Sequence, residues 1–165
     1  IKKVAVLYTA GEKNSELQMA GVKEGEADLG YQIVPINLAS PEDVAKLGKT
    51  LAASDAQLIV VTGSNVVSTN IAAIVEATIK ANIMTVSHLD DLVARGVLLG
   101  LVADANEVGT LGGKILAKVI KGAAPSSVRI EYPLARLIIN EKTQQAGNYK
   151  IPNTLIEWAA SSAKK

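Results

Sequence analysis

The chain reads as an α/β protein: a doubly wound, parallel, five-stranded sheet in the order 2-1-3-4-5, with a C-terminal extension. Three observations predict this. Val4-Ala5-Val6-Leu7 and Leu58-Ile59-Val60-Val61 are nearly continuous apolar runs, the signature of strands buried on both faces. Each run ends in a polar turn and is followed by a helix-favouring segment, and three further strand-like runs repeat that alternation. Hydrophobic residues make up 48% of the chain but aromatics only 3%, with no Phe, so the core is built from Val, Ile, Leu and Ala. At 165 residues the chain has the size of one domain, large enough to bury roughly 70% of its unfolded surface.

Taken in order, the first strand stops at Thr9-Ala10-Gly11. Helix-favouring residues 14–29 follow and end at Gly30. Tyr31 to Leu38 is the second strand. Ser40-Pro41-Glu42-Asp43 is a strong helix start, with a capping Ser, Pro at the first helical position and acids in the first turn. Val44, Leu47 and Leu51 then share one face. The third strand, 57–62, leads into a helix with Val67, Ile71, Ile74, Val75 and Ile79 at helical spacing. Asn82 to Val86 is the fourth strand, Leu89 to Ala94 a short helix before Gly96, and Val97 to Val102 the fifth strand. Asp104 to Glu107 has capping-box spacing and opens a helix with Val108, Leu111, Ile115 and Val119 on one side, closing at Gly122. Beyond Ala123 the rhythm changes. Val128 to Ile139 is extended with a break at Pro133, Asn140 to Ala146 is helical, and Pro152 begins a last helix with Leu155, Ile156 and Trp158. This tail is not another βα repeat and is expected to wrap the sheet or reach toward a partner.

The order 2-1-3-4-5 places the topological switch point between strands one and three, where open α/β sheets hold their ligands. The turns that meet there carry Thr9, Asn14 and Ser15 on one side and Thr62, Ser64 and Asn65 on the other. Each turn feeds a helix start, which favours a carboxylate or phosphate, although the same residues serve as helix caps. Asp104 lies on the same edge, where its carboxylate suits an ammonium group. Ser87 and His88, at the tip of the fourth strand, complete the candidate set; a lone His in that position is more often a hydrogen-bonded loop residue than a base.

Other chemistries are excluded. Seventeen basic and sixteen acidic residues give a net charge of +1, without the basic stripe and stacking aromatics of a nucleic-acid binder. There is no Cys, no His–carboxylate cluster for a metal, and no apolar run near the roughly 18 residues of a membrane span. Phosphate-loop, dinucleotide and nucleophile-elbow motifs are missing: Gly112-Gly113-Lys114 is followed by Ile115, and Thr9 and Thr62 stand where a phospho-accepting receiver needs acids. No cofactor is expected. The chain opens on Ile1 without a signal peptide, as a processed or truncated product does.

One set of segments is more specific. It comprises Val4 to Tyr8 with Gly11-Glu12 and Asn14-Ser15, then Arg95-Gly96 through Gly100, and then Asp104, Glu107 and Gly109 in a D-x-x-E-x-G pattern. The set ends with Ile138-Ile139-Asn140-Glu141-Lys142-Thr143, Gly147 and Ile151-Pro152. In these the chain resembles the C-terminal half of ABC-transporter substrate-binding proteins of the bilobed, periplasmic-binding type, in particular the family that includes amino-acid binders. The resemblance implies that residues 1–103 form one ligand-binding lobe. Residues 104–165 would supply a crossover helix and a tail that packs partly on an N-terminal lobe. Asn14-Ser15, Thr62 to Asn65 and Asp104 would face the cleft between lobes.

The function implied is non-catalytic: binding a small polar solute, such as an amino acid, for uptake through an ABC permease, at the periplasm or cell surface. Ala105-Asn106 stand where members often carry aromatic residues, which argues against an aromatic amino acid. An effector-sensing domain of a transcription regulator or signalling receptor shares the bilobed fold and is the alternative. One lobe covers one side of a ligand, whereas good pockets enclose roughly 70–90% of it. The chain alone is therefore expected to bind solute weakly unless the N-terminal lobe or a second copy supplies the other side.

Overall fold

The computed structural model describes residues 1–162. Strand β1 (Lys3–Tyr8) leads through α1 (Lys13–Glu24) and α2 (Glu26–Leu29) to β2 (Gln32–Asn37), then through α3 (Pro41–Ser54) to β3 (Leu58–Val61). Helices α4 (Asn65–Thr69) and α5 (Ile71–Lys80) connect to β4 (Met84–Ser87), and α6 (Asp90–Ala94) connects to β5 (Leu99–Ala103). After α7 (Ala105–Ile120) come β6 (Ala135–Ile139), α8 (Glu141–Ala146) and α9 (Asn153–Ser162).

The sheet runs β2-β1-β3-β4-β5-β6. Its first five strands are parallel in the expected order. The expectation of five strands is corrected by a sixth: β6 pairs antiparallel with β5, Ala103 opposite Ala135 and Leu99 opposite Ile139. The sequence marks the segment as extended, but an extended run does not announce its partner, and it takes the free edge of β5 that a sixth βα unit would have used.

Local chemistry accounts for most boundaries. Ser40 and Asp43 form a reciprocal capping box at α3, with Pro41 at its first position. Gly30 ends α2 with a φ of 67°, where a Cβ would be strained. The long helix expected after β3 is instead broken at Asn70 into α4 and α5. Ala5, Leu7, Ile59 and Val61 project from the sheet onto Val44, Leu47 and Leu51 of α3, Ile71 and Ile74 of α5, and Leu92 and Val93 of α6, forming the main core. Full burial of a Leu such as Leu47 stabilises by about 1.5–3 kcal/mol. Val4 and Val6 alternate onto the other face and are also buried.

The tail is fastened at the opposite end of the sheet. Tyr149 and Ile151 pack with Leu98, and Tyr149 Oη donates to Ile83 O (3.0 Å). Burial pushes the Tyr149 phenol above its ordinary pKa by disfavouring the phenolate. A Cβ on Gly147 would lie 2.1 Å from the Tyr149 ring, so that position requires Gly. Asn140 and Thr143 bond to Val93 O (2.6 Å) and Gly96 O (2.8 Å). Ser162 Oγ accepts from Leu137 N–H (3.2 Å) and lies 3.3 Å from Leu137 O, covering the open edge of β6 as a partner strand would. Helix α7 differs from the rest. None of its residues is fully buried: Leu111, Ile115 and Val119 are half-buried and Val108 is exposed, so the stripe is only partly covered within the described residues.

Candidate ligand-binding site

Parallel strands bring every candidate residue to one edge of the sheet. Thr9 to Ser15 follow β1, Thr62 to Asn65 follow β3, Ser87 and His88 end or follow β4, and Asp104 follows β5. Two strand spacings, about 10 Å, separate the β3 tip from the β5 tip, so the edge has two corners.

At the switch point, four of the candidates form a closed network. Thr9, Ser15, Thr62 and Ser64 are buried. Thr62 Oγ1 donates to Leu7 O (2.7 Å), and Ser15 Oγ lies 3.1 Å from Thr62 Oγ1 while accepting from Thr9 N–H (2.9 Å). Thr9 Oγ1 donates to Leu38 O (2.7 Å) and lies 2.9 Å from Ser64 Oγ, which accepts from Val67 N–H (3.0 Å). A hydroxyl has one hydrogen. Thr9 Oγ1 thus shares its hydrogen between Leu38 O and Ser64 Oγ, Ser15 and Thr62 are joined to each other, and all four hydroxyls have partners inside the protein. The network joins β1, β2, β3, α1 and α4.

The groups left at the surface here are different ones. Asn14 is exposed, with Nδ2 donating to Gly63 O (3.0 Å), and the exposed Asn65 N–H donates to Glu12 Oε2 (2.9 Å). Gly63 N–H donates to Gln18 Oε1 (2.8 Å), and a Cβ there would lie 2.9 Å from the Leu89 side chain. Residues 12–18 thus brace the β3 turn through Glu12, Asn14 and Gln18. Neither Glu12 nor Gln18 was a sequence candidate, although an acid just ahead of a helix start was the available signal. Asn14 and Ser15 are not caps: α1 begins at Lys13, and its N-cap Glu12 makes no side-chain capping bond. Ser64 does cap α4.

Ser87 is buried, donating to Val61 O (2.9 Å) and accepting from Leu89 N–H (3.2 Å). His88 is exposed, and no side-chain hydrogen bond of His88 occurs among the described residues, against the expectation of a hydrogen-bonded loop residue. Partial desolvation lowers its pKa.

The second corner holds Asp104. Its Oδ1 accepts from Glu107 N–H (2.8 Å), capping α7, and its Oδ2 pairs with an Nη of Arg136 on β6. The capping box is only half formed, because Glu107 turns away and its Oε2 accepts from Leu134 N–H (3.2 Å). Arg136, absent from the sequence candidates, was signalled only by a charge inside the run Ala135 to Ile139. A cavity of about 500 Å³ opens here, lined by Asp104, Glu107, Leu134, Arg136, Trp158 and Ser161 among others. A larger hollow of about 840 Å³ lies at the opposite edge between α3 and α5, but its charged residues are already paired, Glu76 with Lys80 (2.6 Å) and Asp55 with Lys3 (3.5 Å), and it is remote from the strand tips. Among the described residues no group of three or more His, Cys, Asp or Glu could hold a metal, and no helix is long and apolar enough to cross a membrane.

A family model described as ABC transporter substrate binding protein matches residues 1–163. No curated protein matches the sequence. Among solved structures, the chain is similar to the ligand-free, open form of a substrate-binding protein with adhesive properties from Clostridium difficile. That likeness has a TM-score of 0.77 at 18% identity, over 92% of this chain and 51% of that one. It is similar to an ABC domain in complex with L-Trp from Streptococcus pneumonia, with a TM-score of 0.72 at 22% identity over 96% and 55%. A third likeness is to a periplasmic ribose ABC transporter from Conexibacter woesei, with a TM-score of 0.61 at 18% identity over 90% and 54%. At such identities these likenesses establish the fold alone. The chain spans about half the length of each of the three.

Proposed function

The chain belongs to the ABC transporter substrate-binding protein family, and from that premise we propose that it is one jaw of a two-lobed clasp for a small polar solute delivered to an ABC permease outside the cytoplasm. Residues 1–103 are the lobe proper. Within residues 104–162, β6, α8 and α9 complete this sheet, while α7 and the segment after it cross to, and partly pack on, an N-terminal lobe. The observation that carries this reading is the contrast between a finished sheet and an unfinished crossover: α7 fully buries no residue, and Ile120, Ile130 and Tyr132 are 76%, 76% and 81% exposed. Exposed large apolar residues gathered along one stretch of chain mark a surface meant for a partner. The half-length match to the structural neighbours points the same way.

The mechanism is closure on ligand, with the permease reading the closed form, and no bond is made or broken. Asn14 and Asn65 offer amide groups at the switch point, and Asp104 marks the second corner. The hydroxyls of Thr9, Ser15, Thr62 and Ser64, with that of Ser87, hold the tips rigid behind them, while His88 stands at the rim. The L-Trp complex among the neighbours favours an amino acid, and the ribose transporter keeps a sugar as the second reading.

Calorimetric titration of the natural full-length protein with amino acids and sugars tests this. Micromolar or tighter binding of one solute class is expected, with much weaker binding by residues 1–165 alone. Absence of binding across the panel, or equally tight binding by the 165-residue chain, would overturn it.

A further inference from the structure

An open sheet has two edges, and each edge strand offers a row of free N–H and C=O groups to any chain that would pair with it. Here the edge strands are β2 and β6. In β2, Gln32 N–H and Leu38 N–H donate to Lys2 O and Tyr8 O (both 2.8 Å). Even-numbered residues therefore face β1, and Ile33, Pro35, Asn37 and Ala39 turn their backbone groups outward. Three of those four positions cannot donate to an added strand. Ile33 N–H is taken by Glu26 Oε1 from α2 (2.6 Å), Pro35 has no N–H, and Ala39 N–H is taken by Asp43 Oδ2 from α3 (3.0 Å). Only Asn37 N–H keeps no side-chain acceptor among the described residues. Lys46 and Lys49, both exposed, line the hollow between this edge and α3.

At the other edge, Asn140 N–H donates to Leu98 O (2.8 Å), which turns Ala135, Leu137 and Ile139 outward. Leu137 is the middle one, and its N–H and C=O both meet Ser162 Oγ (3.2 and 3.3 Å). Leu137 and Ser162 are buried beneath α9. A ladder needs bonds at every second residue. The one or two bonds still available at either edge contribute less than ordering the incoming backbone costs. We propose that this sheet is closed to strand addition at both edges, by Glu26 and Pro35 at β2 and by Ser162 at β6, so that the protein meets other chains through helices and loops and never by extending its sheet. The inference does not depend on which solute is bound.

The test uses the natural full-length protein, with sedimentation velocity over a range of concentrations and amide hydrogen exchange to locate any contact. Glu26→Ala combined with Pro35→Val restores two outward donors and leaves every bond to β1 in place. The double variant is expected to self-associate at least about tenfold more strongly than wild type, as two regained hydrogen bonds allow. The amides of residues 33, 35 and 37 should then exchange more slowly in the associated form. Glu26→Gln keeps an acceptor for Ile33 N–H and is expected to sediment like wild type. Ser162→Ala frees Leu137 and is expected to associate through residues 135–139. Association caused by unfolding would instead speed exchange in β1 and β3, and Pro35→Val alone, which removes no bond, then decides the question. Variants as monomeric as wild type overturn the inference, and so does wild-type association that slows the amides of β2 or β6. Solute affinity is expected to be unchanged in all of them, so the solute-binding reading stands or falls separately.

Discussion

The two corners of the strand-tip edge are finished in opposite ways. At the β1–β3 corner, four buried hydroxyls bond to one another and to backbone groups, and Glu12, Asn14 and Gln18 brace the turn behind them. At the β5–β6 corner, Arg136 keeps an unmatched donor, and α7 leaves the sheet without fully burying a residue. Hydroxyl-rich turns at a switch point therefore need not be ligand groups. A dense local network can consume them.

The largest expected effect tests whether the finished and unfinished parts differ in energy as they do in packing. Leu47→Ala, fully buried under α3, should lower unfolding free energy by about 2–5 kcal/mol. Ile120→Ala at the exposed end of α7 should change it by less than about 0.5 kcal/mol in the 165-residue chain. Urea denaturation of both variants measures this, and equal losses would break the contrast.

The next effect belongs to the closed network. Ser64→Ala removes the α4 cap and strands a neighbour of Thr9, at a cost of about 1–2 kcal/mol. A neutral result by thermal melting would mean that the hydroxyls are not mutually dependent. Smaller again is Asp104→Asn, which keeps an acceptor for Glu107 N–H but weakens a partly exposed ion pair. A loss of less than about 1 kcal/mol is expected, with the salt dependence of stability reduced.

The smallest effect lies between the corners, at His88. Its folded pKa lies below its ordinary value because partial desolvation disfavours the imidazolium. The unfolded chain therefore binds the proton first as pH falls below about 6.5, and stability declines from there through the folded pKa. His88→Gln should flatten that part of the stability–pH curve. An unchanged slope would assign it to other groups.

What could be read in advance followed from local chemistry. The start of α3 was legible because Ser40, Pro41 and Asp43 are each specific to a helix N-terminus. The stop at Gly30 was legible because an αL position selects Gly. The switch point was legible because right-handed crossovers leave few strand orders. Arg136 was not legible: one charge in an apolar strand has meaning only when Asp104 is seen opposite it. The bracing role of Glu12 was not legible either, because its partner, Asn65 N–H, is 53 residues away.

Periodicity, punctuation and turn chemistry in the sequence determined the strands, most helix ends and the edge on which the candidate residues gather, since these depend on interactions between near neighbours. Only the tertiary structure decided that a sixth strand closes the sheet, that the switch-point hydroxyls satisfy one another, and that Arg136 meets Asp104. Those outcomes depend on which distant groups meet and how many hydrogen bonds each still has to give, a count that exists only once the chain is folded.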